Sequence, residues 1–153
     1  MMEILTMDLQ SLQWVASLFD AYRVFYEQPS DPGRAVRFLS ERLAARESVV
    51  FWARSPRDGA CMGFTQLYPI YSSMRAQKNW LLNDLYVAEA FRREGVGEAL
   101  IRRAMDFACS DGAVMIRLET AVTNTRAQRL YEKIGFRRTP NDSSFVVYQR
   151  PLP

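Results

Sequence analysis

At 153 residues, 48% of them hydrophobic and 24% charged, the chain has the length and composition of one folded domain with a real core, and no apolar run in it is long enough to span a membrane. The net charge of +3 is small and its lysines and arginines are scattered, so the basic stripe of a nucleic-acid binder is missing. The sequence has no histidine, which excludes Ser-His-Asp and Cys-His catalysis and speaks against zinc, and leaves Glu, Asp, Tyr, Lys or ordered water to accept a proton.

The amino terminus, MMEILTMDLQ, has no basic stretch ahead of an apolar one, so neither a signal peptide nor an anchor is expected. Cys61 and Cys109 stand apart with no CxxC, the pattern of reduced thiols in a cytoplasmic protein, and no metal is expected. Met2–Met7 reads as a first strand. Asp8 is a candidate N-cap for a helix whose one face carries Leu12, Val15, Phe19, Tyr22 and Phe25 and which ends near Glu27. Asp31-Pro32 reads as a second cap followed by proline at the first helical position, with Val36, Leu39 and Leu43 striping a helix to about Arg46.

Glu47–Arg54 is β-branched and aromatic, and Ser55–Gly59 is turn chemistry. Ala60–Tyr68 is the next strand, stopped by Pro69, and Tyr71–Asn79 reads as a polar link. A strand from Trp80 follows, with Leu81, Leu85 and Val87 on one face and Asp84 and Tyr86 on the other. After Arg92-Arg93-Glu94-Gly95-Val96-Gly97 a helix runs from Gly97 to Ser110 and stops at Asp111-Gly112. Val114–Ala121 is a strand, Thr125-x-x-Gln128 reads as a capping box, Ala127, Leu130, Tyr131 and Ile134 stripe a helix, and Gly135 caps its end. Phe136–Arg138 and Phe145–Arg150 are expected as final strands around a turn at Pro140–Ser144. No repeat or linker interrupts this order, so one domain spanning 1–153 is expected, with a mixed α/β sheet.

The turn at Arg92–Gly97 has a physical use. The first N–H groups of a helix lack partners and point outward with the positive end of the dipole, and Gly95 and Gly97 clear side chains from the backbone. A phosphate or pyrophosphate is the natural ligand, and the alternative is a tight loop with helix-friendly charges. No Gly-Lys-Ser/Thr follows, so it is not a Walker loop, and the third glycine of a dinucleotide fingerprint is missing.

Arg92-x-x-Gly95-x-Gly97, directly after Leu85-Tyr86-Val87, resembles the acetyl-CoA loop of the GNAT superfamily of N-acetyltransferases. Asn124 to Phe136 resembles the N-x-x-A-x-x-L-Y-x-x-x-G-F stretch of the same superfamily, and the close match covers Leu81 to Arg137. The resemblance implies the GNAT fold, a central mixed β-sheet flanked by helices with splayed middle strands, and an acetyl-CoA-dependent N-acetyltransferase. It implies that the amides of Arg93, Glu94, Gly95, Val96, Gly97 and Glu98 hold the CoA pyrophosphate with Arg92 and Arg93 beside its charge. Leu85 and Val87 would meet the pantetheine arm through their backbone, and the Val87 N–H would receive the oxyanion. Asn124 and Ala127 would contact CoA, and Tyr131 would protonate the departing thiolate.

The strand Leu82-Asn83-Asp84-Leu85-Tyr86-Val87 is similar to that of the spermidine/spermine acetyltransferase branch, which carries a glutamate at the position of Asn83. An amide cannot take a proton, so Asp84, Tyr86 and Glu119 stay open as the base, directly or through water. Phe25, Tyr26, Glu27, Tyr68, Tyr71 and Asn83 are expected around the acceptor, aromatic with one acidic member, which leans to a cationic amine. The acceptor is expected to be a small-molecule primary amine, amino-acid-like or polyamine-like. A protein or peptide amine is the runner-up, a catalytically idle acyl-CoA sensor is a reading of another class, and a homodimer is expected.

Overall fold

The computed structural model describes residues 1–140 and 145–153, and the expected turn at Pro140–Ser144 lies mostly outside them. The chain divides into two compact units, Met1–Glu119 and Thr120–Pro153. The first holds a five-stranded mixed sheet in the order β1 (Glu3–Thr6), β2 (Val49–Arg54), β3 (Cys61–Ser72), β4 (Gln77–Val87) and β5 (Ile116–Arg117). The first four strands pair antiparallel, and β5 joins β4 in parallel. Three helices, α1 (Leu12–Phe25), α2 (Pro32–Ala45) and α3 (Val96–Ser110), belong to the same unit.

Local chemistry explains the helix ends. Asp31 accepts from the Arg34 N–H and Pro32 opens α2, as the sequence predicts. At α1 the expected cap moves: the helix begins at Leu12 behind Ser11, while Asp8 closes a preceding turn in which each residue's side chain accepts the other's N–H. One sheet face packs α1 and α2, burying Val15, Ala16, Phe19, Ala35 and Leu39 against Val50, Trp52 and Phe64. The other packs α3, where Phe107 meets Phe51 and Trp80 at ring separations of 5.5 and 5.0 Å. Each large apolar side chain taken fully from water contributes about 1.5–3 kcal/mol, so both layers are needed to hold the sheet.

Three strand expectations are corrected. Pro69 does not stop β3: the strand runs to Ser72 and pairs with β4, so the expected polar link supplies the arms of a hairpin. Pro69 is tolerated because β2 ends opposite Leu67 and because Trp80, across from Pro69, turns its N–H the other way, to the Met115 carbonyl. Leu81 does not share a face with Leu85 and Val87. Gln66 pairs with Asp84 and Leu67 with Leu82, so Asn83 is an extra residue, and this bulge shifts the alternation by one place. Trp80, Leu82, Leu85 and Val87 therefore face α3, while Leu81, Asp84 and Tyr86 face α1 and α2.

The expected strand Val114–Ala121 reduces to Ile116–Arg117, paired with Trp80 and Leu81. Beyond Leu81 the two strands part, and β4 from Leu82 to Val87 pairs with no residue of β5 among the described residues. In the second unit α4 (Thr125–Ile134) ends on Gly135 with φ 113°, as expected. The segments Phe136–Arg138 and Phe145–Arg150 are not strands, because a strand exists only with a ladder partner and they have none among the described residues.

Gly63 sits on the α3 face of β3. A Cβ there would lie 2.8 Å from the Tyr86 carbonyl oxygen, 3.2 Å from Val96 and 3.3 Å from Leu100. Backbone cannot yield as a side-chain tip can. Gly63→Ala is expected to lower stability by about 1–3 kcal/mol, read as a lower urea midpoint. A wild-type midpoint would show that β3 and β4 can separate at this point.

Candidate active site

The turn after β4 begins with a 3-10 segment, Glu89–Phe91, and ends at Gly95, the N-cap of α3. Arg93 and Gly95 have φ of 67° and 79°, left-handed conformations that turn backbone N–H groups into an anion-binding concavity. From Arg93 to Gly97 no backbone N–H has a protein acceptor among the described residues. A Cβ on Gly95 would meet nothing within 4 Å, so the space beside this glycine is open among the described residues. The carboxylates nearby are held by arginines: Glu94 takes two bonds from Arg57, at 3.1 and 3.2 Å, and Glu98 pairs with Arg102 at 2.9 Å. This donor set fits a pyrophosphate.

Arg92 makes its contacts at the end of β4. Its Nε donates to the Val87 carbonyl at 3.1 Å, and its guanidinium sits 5.6 Å from the centre of the Tyr86 ring and 6.0 Å from that of Phe25. It closes the end of β4 rather than reaching into the turn. Ala88 donates back to Met62 on β3, so strand alternation points the backbone of Val87 and Leu85 away from β3, to the edge that β5 has left.

On the α1/α2 side lies a cavity of about 350 Å³ lined by Phe19, Tyr22, Arg23, Gln28, Arg34, Phe38, Tyr68, Asn83 and Asp84. Asp84, only 5% exposed, forms its charged floor. Its Oδ1 accepts from the Tyr22 hydroxyl at 2.7 Å and from Asn83 at 3.0 Å, and its Oδ2 from Gln66 at 2.8 Å. Ser48 donates in turn to Gln66, and Thr65 to the Asp84 carbonyl, both at 2.8 Å. Burial first, and then the Asp84 charge, push the Tyr22 phenol far above its usual range and the Tyr68 phenol up to about 12. Both hydroxyls therefore stay protonated at neutral pH.

Of the expected acceptor residues, Tyr68 and Asn83 line this cavity. Phe25 and Tyr26 meet edge to face at 5.2 Å beside Tyr22 and Tyr86, Glu27 follows with φ 62°, and Tyr71 stands exposed on the β3–β4 hairpin opposite Lys78. Sequence reasoning missed Arg23, Arg34, Phe38 and Gln66, and gave Tyr22 only to the core stripe. None has a local signal, since each matters through a partner far along the chain.

Among the remaining candidates, Glu119 is exposed and lies 3.8 Å from Arg117. In the second unit Asn124 is itself the N-cap of α4, accepting from the Ala127 N–H at 3.2 Å. The expected capping box is thus corrected: Thr125 is the first helical residue, and Gln128 reaches back to the carbonyls of Ala121 and Val122 instead. Tyr131 is half-buried, with its ring 6.0 Å from that of Phe136.

The sequence model of the acetyltransferase (GNAT) family matches residues 14–136. The chain is 40% identical over 139 residues to the uncharacterized N-acetyltransferase YhfO of Bacillus subtilis, covering 91% of this chain and 90% of that one. A crystal structure of a probable acetyltransferase superposes with TM-score 0.86 at 40% identity, over 99% of this chain and 98% of the other. The aminoglycoside N-acetyltransferase AAC(6')-Iy in complex with CoA shares the fold at TM-score 0.77 and 22% identity, over 98% and 95% of the two chains.

The cavity floor depends on donors to a buried carboxylate. Tyr22→Phe removes one of three, and a hydrogen bond to a charged group is worth about 1.5–3 kcal/mol. A stability loss of that size is expected in chemical denaturation. A loss under about 0.5 kcal/mol would show that water takes the place of the phenol at Asp84.

Proposed function

The chain belongs to the acetyltransferase (GNAT) family and is an acetyl-CoA-dependent N-acetyltransferase, and from that premise we propose that it acetylates the primary amine of a small molecule bound in the cavity above Asp84. The observation that carries the reading is the pairing of two features on one strand. The edge of β4 at Leu85 and Val87 has no strand partner in β5 among the described residues, which leaves it to the acetyl donor, and its α1/α2 face presents a half-open pocket with a carboxylate floor. A pocket of about 350 Å³ is of a size for a small acceptor.

Bound acetyl-CoA supplies a thioester whose carbonyl carbon takes a bond from the amine nitrogen as the C–S bond breaks. The amides of Arg93 to Glu98 hold the pyrophosphate, with the Arg93 side chain beside it. The Val87 N–H donates to the carbonyl oxygen as charge develops there. Tyr131 gives its proton to the departing sulfur, supported by its place in the Asn124–Phe136 motif. Asn124 and Ala127 are assigned to the same ligand on that motif, with Asn124 also capping the helix.

Water carries the amine proton away in this reading. Asp84 already accepts three hydrogen bonds, and its role is electrostatic, as is that of the more distant Glu119. One domain is proposed, because the family match crosses from the first unit into the second. A cytoplasmic homodimer belongs to the same reading, since Phe145, Val146, Val147 and Tyr148 lie exposed and a second copy would cover them.

Two measurements test this reading. CoA should raise the melting temperature, and Gly97→Glu should abolish that rise while the apo protein stays folded, because a carboxylate then occupies the first turn of α3. An unchanged rise would place the pyrophosphate elsewhere. Tyr131→Phe keeps the ring that packs on Phe136, so turnover should fall about 10²–10⁴-fold with CoA affinity nearly constant. A variant retaining half of wild-type turnover, where chemistry limits the rate, would remove Tyr131 from the mechanism.

A further inference from the structure

The cavity above Asp84 has a charge pattern of its own. Its floor is a buried carboxylate ringed by Phe19, Tyr22, Phe38 and Tyr68, and its rim carries two guanidinium groups, Arg23 and Arg34. The two arginines differ. Arg23 is 4.0 Å from Asp20 and donates weakly to the Pro29 carbonyl at 3.5 Å, so its charge is partly answered by the protein. The Arg34 side chain has no ion pair or hydrogen bond among the described residues. Its backbone N–H alone is engaged, by Asp31.

Arg34 also sits at the wrong end of its helix. It is the third residue of α2, a helix with no acidic side chain in its first turn, and a cation there opposes the dipole by a few tenths of a kcal/mol. Nearby acidic groups do little to offset it. Asp20 is spent on Ser30 at 2.6 Å, on the Asp31 N–H at 2.8 Å and on Arg23. Asp31 caps the helix end through the Arg34 N–H, and the outcome is a rim that carries the Arg34 guanidinium, with no side-chain partner among the described residues, over a floor that is negative.

We propose that the acceptor amine carries an anionic group, a carboxylate or a phosphate, which Arg34 receives at the pocket rim while the ammonium faces Asp84. This rests on the assignment of the cavity as the acceptor site. It narrows the acceptor to a small zwitterion and excludes polyamines, whose second cation would meet Arg34 instead of a carboxylate. A planar guanidinium takes a carboxylate or phosphate through two parallel hydrogen bonds, which a lysine in its place could not.

Thiol release from acetyl-CoA tests the inference with matched acceptors: the standard amino acids against their α-carboxamides, O-phosphoethanolamine against ethanolamine, and spermidine. The wild type is expected to prefer the anionic member of at least one pair by 10-fold or more in kcat/KM, and the pair identifies carboxylate or phosphate as the group read. Arg34→Gln, at an exposed position, should erase that preference, and Arg34→Lys should restore part of it. Equal use of both members, a best acceptor without an anion such as spermidine, or a preference untouched in Arg34→Gln overturns the inference and leaves the acetyltransferase standing. Absence of thiol release with every amine counts against the small-amine reading instead. The charge preference is then read from melting shifts with the same probes, and equal shifts for acid and amide overturn it.

Discussion

One inserted residue in β4 governs the layout of the site. A regular strand would place Leu82 and Asp84 on the same face, and one of them would then be wrong: a leucine over the acceptor cavity or a carboxylate buried against Phe107. The bulge at Asn83 resolves this by moving Asp84 to the α1/α2 side while Leu82 stays with α3. The cost is local, a ladder interrupted at one point, and it is met by Thr65, which donates to the Asp84 carbonyl. The bulge falls just where β5 departs, since Leu81 is the last residue of β4 that β5 pairs. A kink and, among the described residues, an edge without a partner in β5 thus coincide, and in the proposed reading the donor side and acceptor side of the reaction meet along six residues.

A buried carboxylate is costly unless hydrogen-bonded, and Asp84 shows what the fold spends to keep one. Tyr22 comes from α1, Gln66 from β3 and Asn83 from β4 itself, and Ser48, just before β2, donates to Gln66 and holds it in place. The anion turn follows the opposite logic. Its amides are left without acceptors, and its own acidic residues are turned aside by Arg57 and Arg102. One charge is satisfied by the protein so that it holds still, and one set of donors is left unsatisfied so that a ligand is needed.

What could be read from the sequence was what is encoded over a short span. The Asp31-Pro32 cap, Gly135 at the end of α4, the helix stripes and the two motifs all act within a few residues, and they identified the fold. The errors share a cause. Pro69 looked like a stop because its harmlessness depends on where β2 ends, and Leu81 was put on the wrong face because a bulge leaves no mark in hydrophobic alternation. The acceptor cavity was illegible for the same reason: Arg34 and Asp84 are fifty residues apart, and only the packing of α2 on the sheet makes them neighbours of one ligand.

The lack of a free base sets a limit on the acceptor. A lysine-like ammonium with a pKa of about 10.4 must lose its proton before attack, which at pH 7 costs about 5 kcal/mol, whereas a peptide-type α-amino group near 7.8, with no anion beside it, costs about 1 kcal/mol, and a carboxylate or phosphate on the acceptor moves its amine towards the former. An enzyme that acetylates the former gains greatly from a dedicated base. This pocket offers two phenols held protonated and a carboxylate already accepting three hydrogen bonds. Asp84 moreover favours the charged ammonium, which strengthens binding and opposes deprotonation. The balance is least unfavourable for an amine whose affinity comes partly from another group. An anion held by Arg34 at the rim supplies that affinity without requiring the ammonium to stay charged.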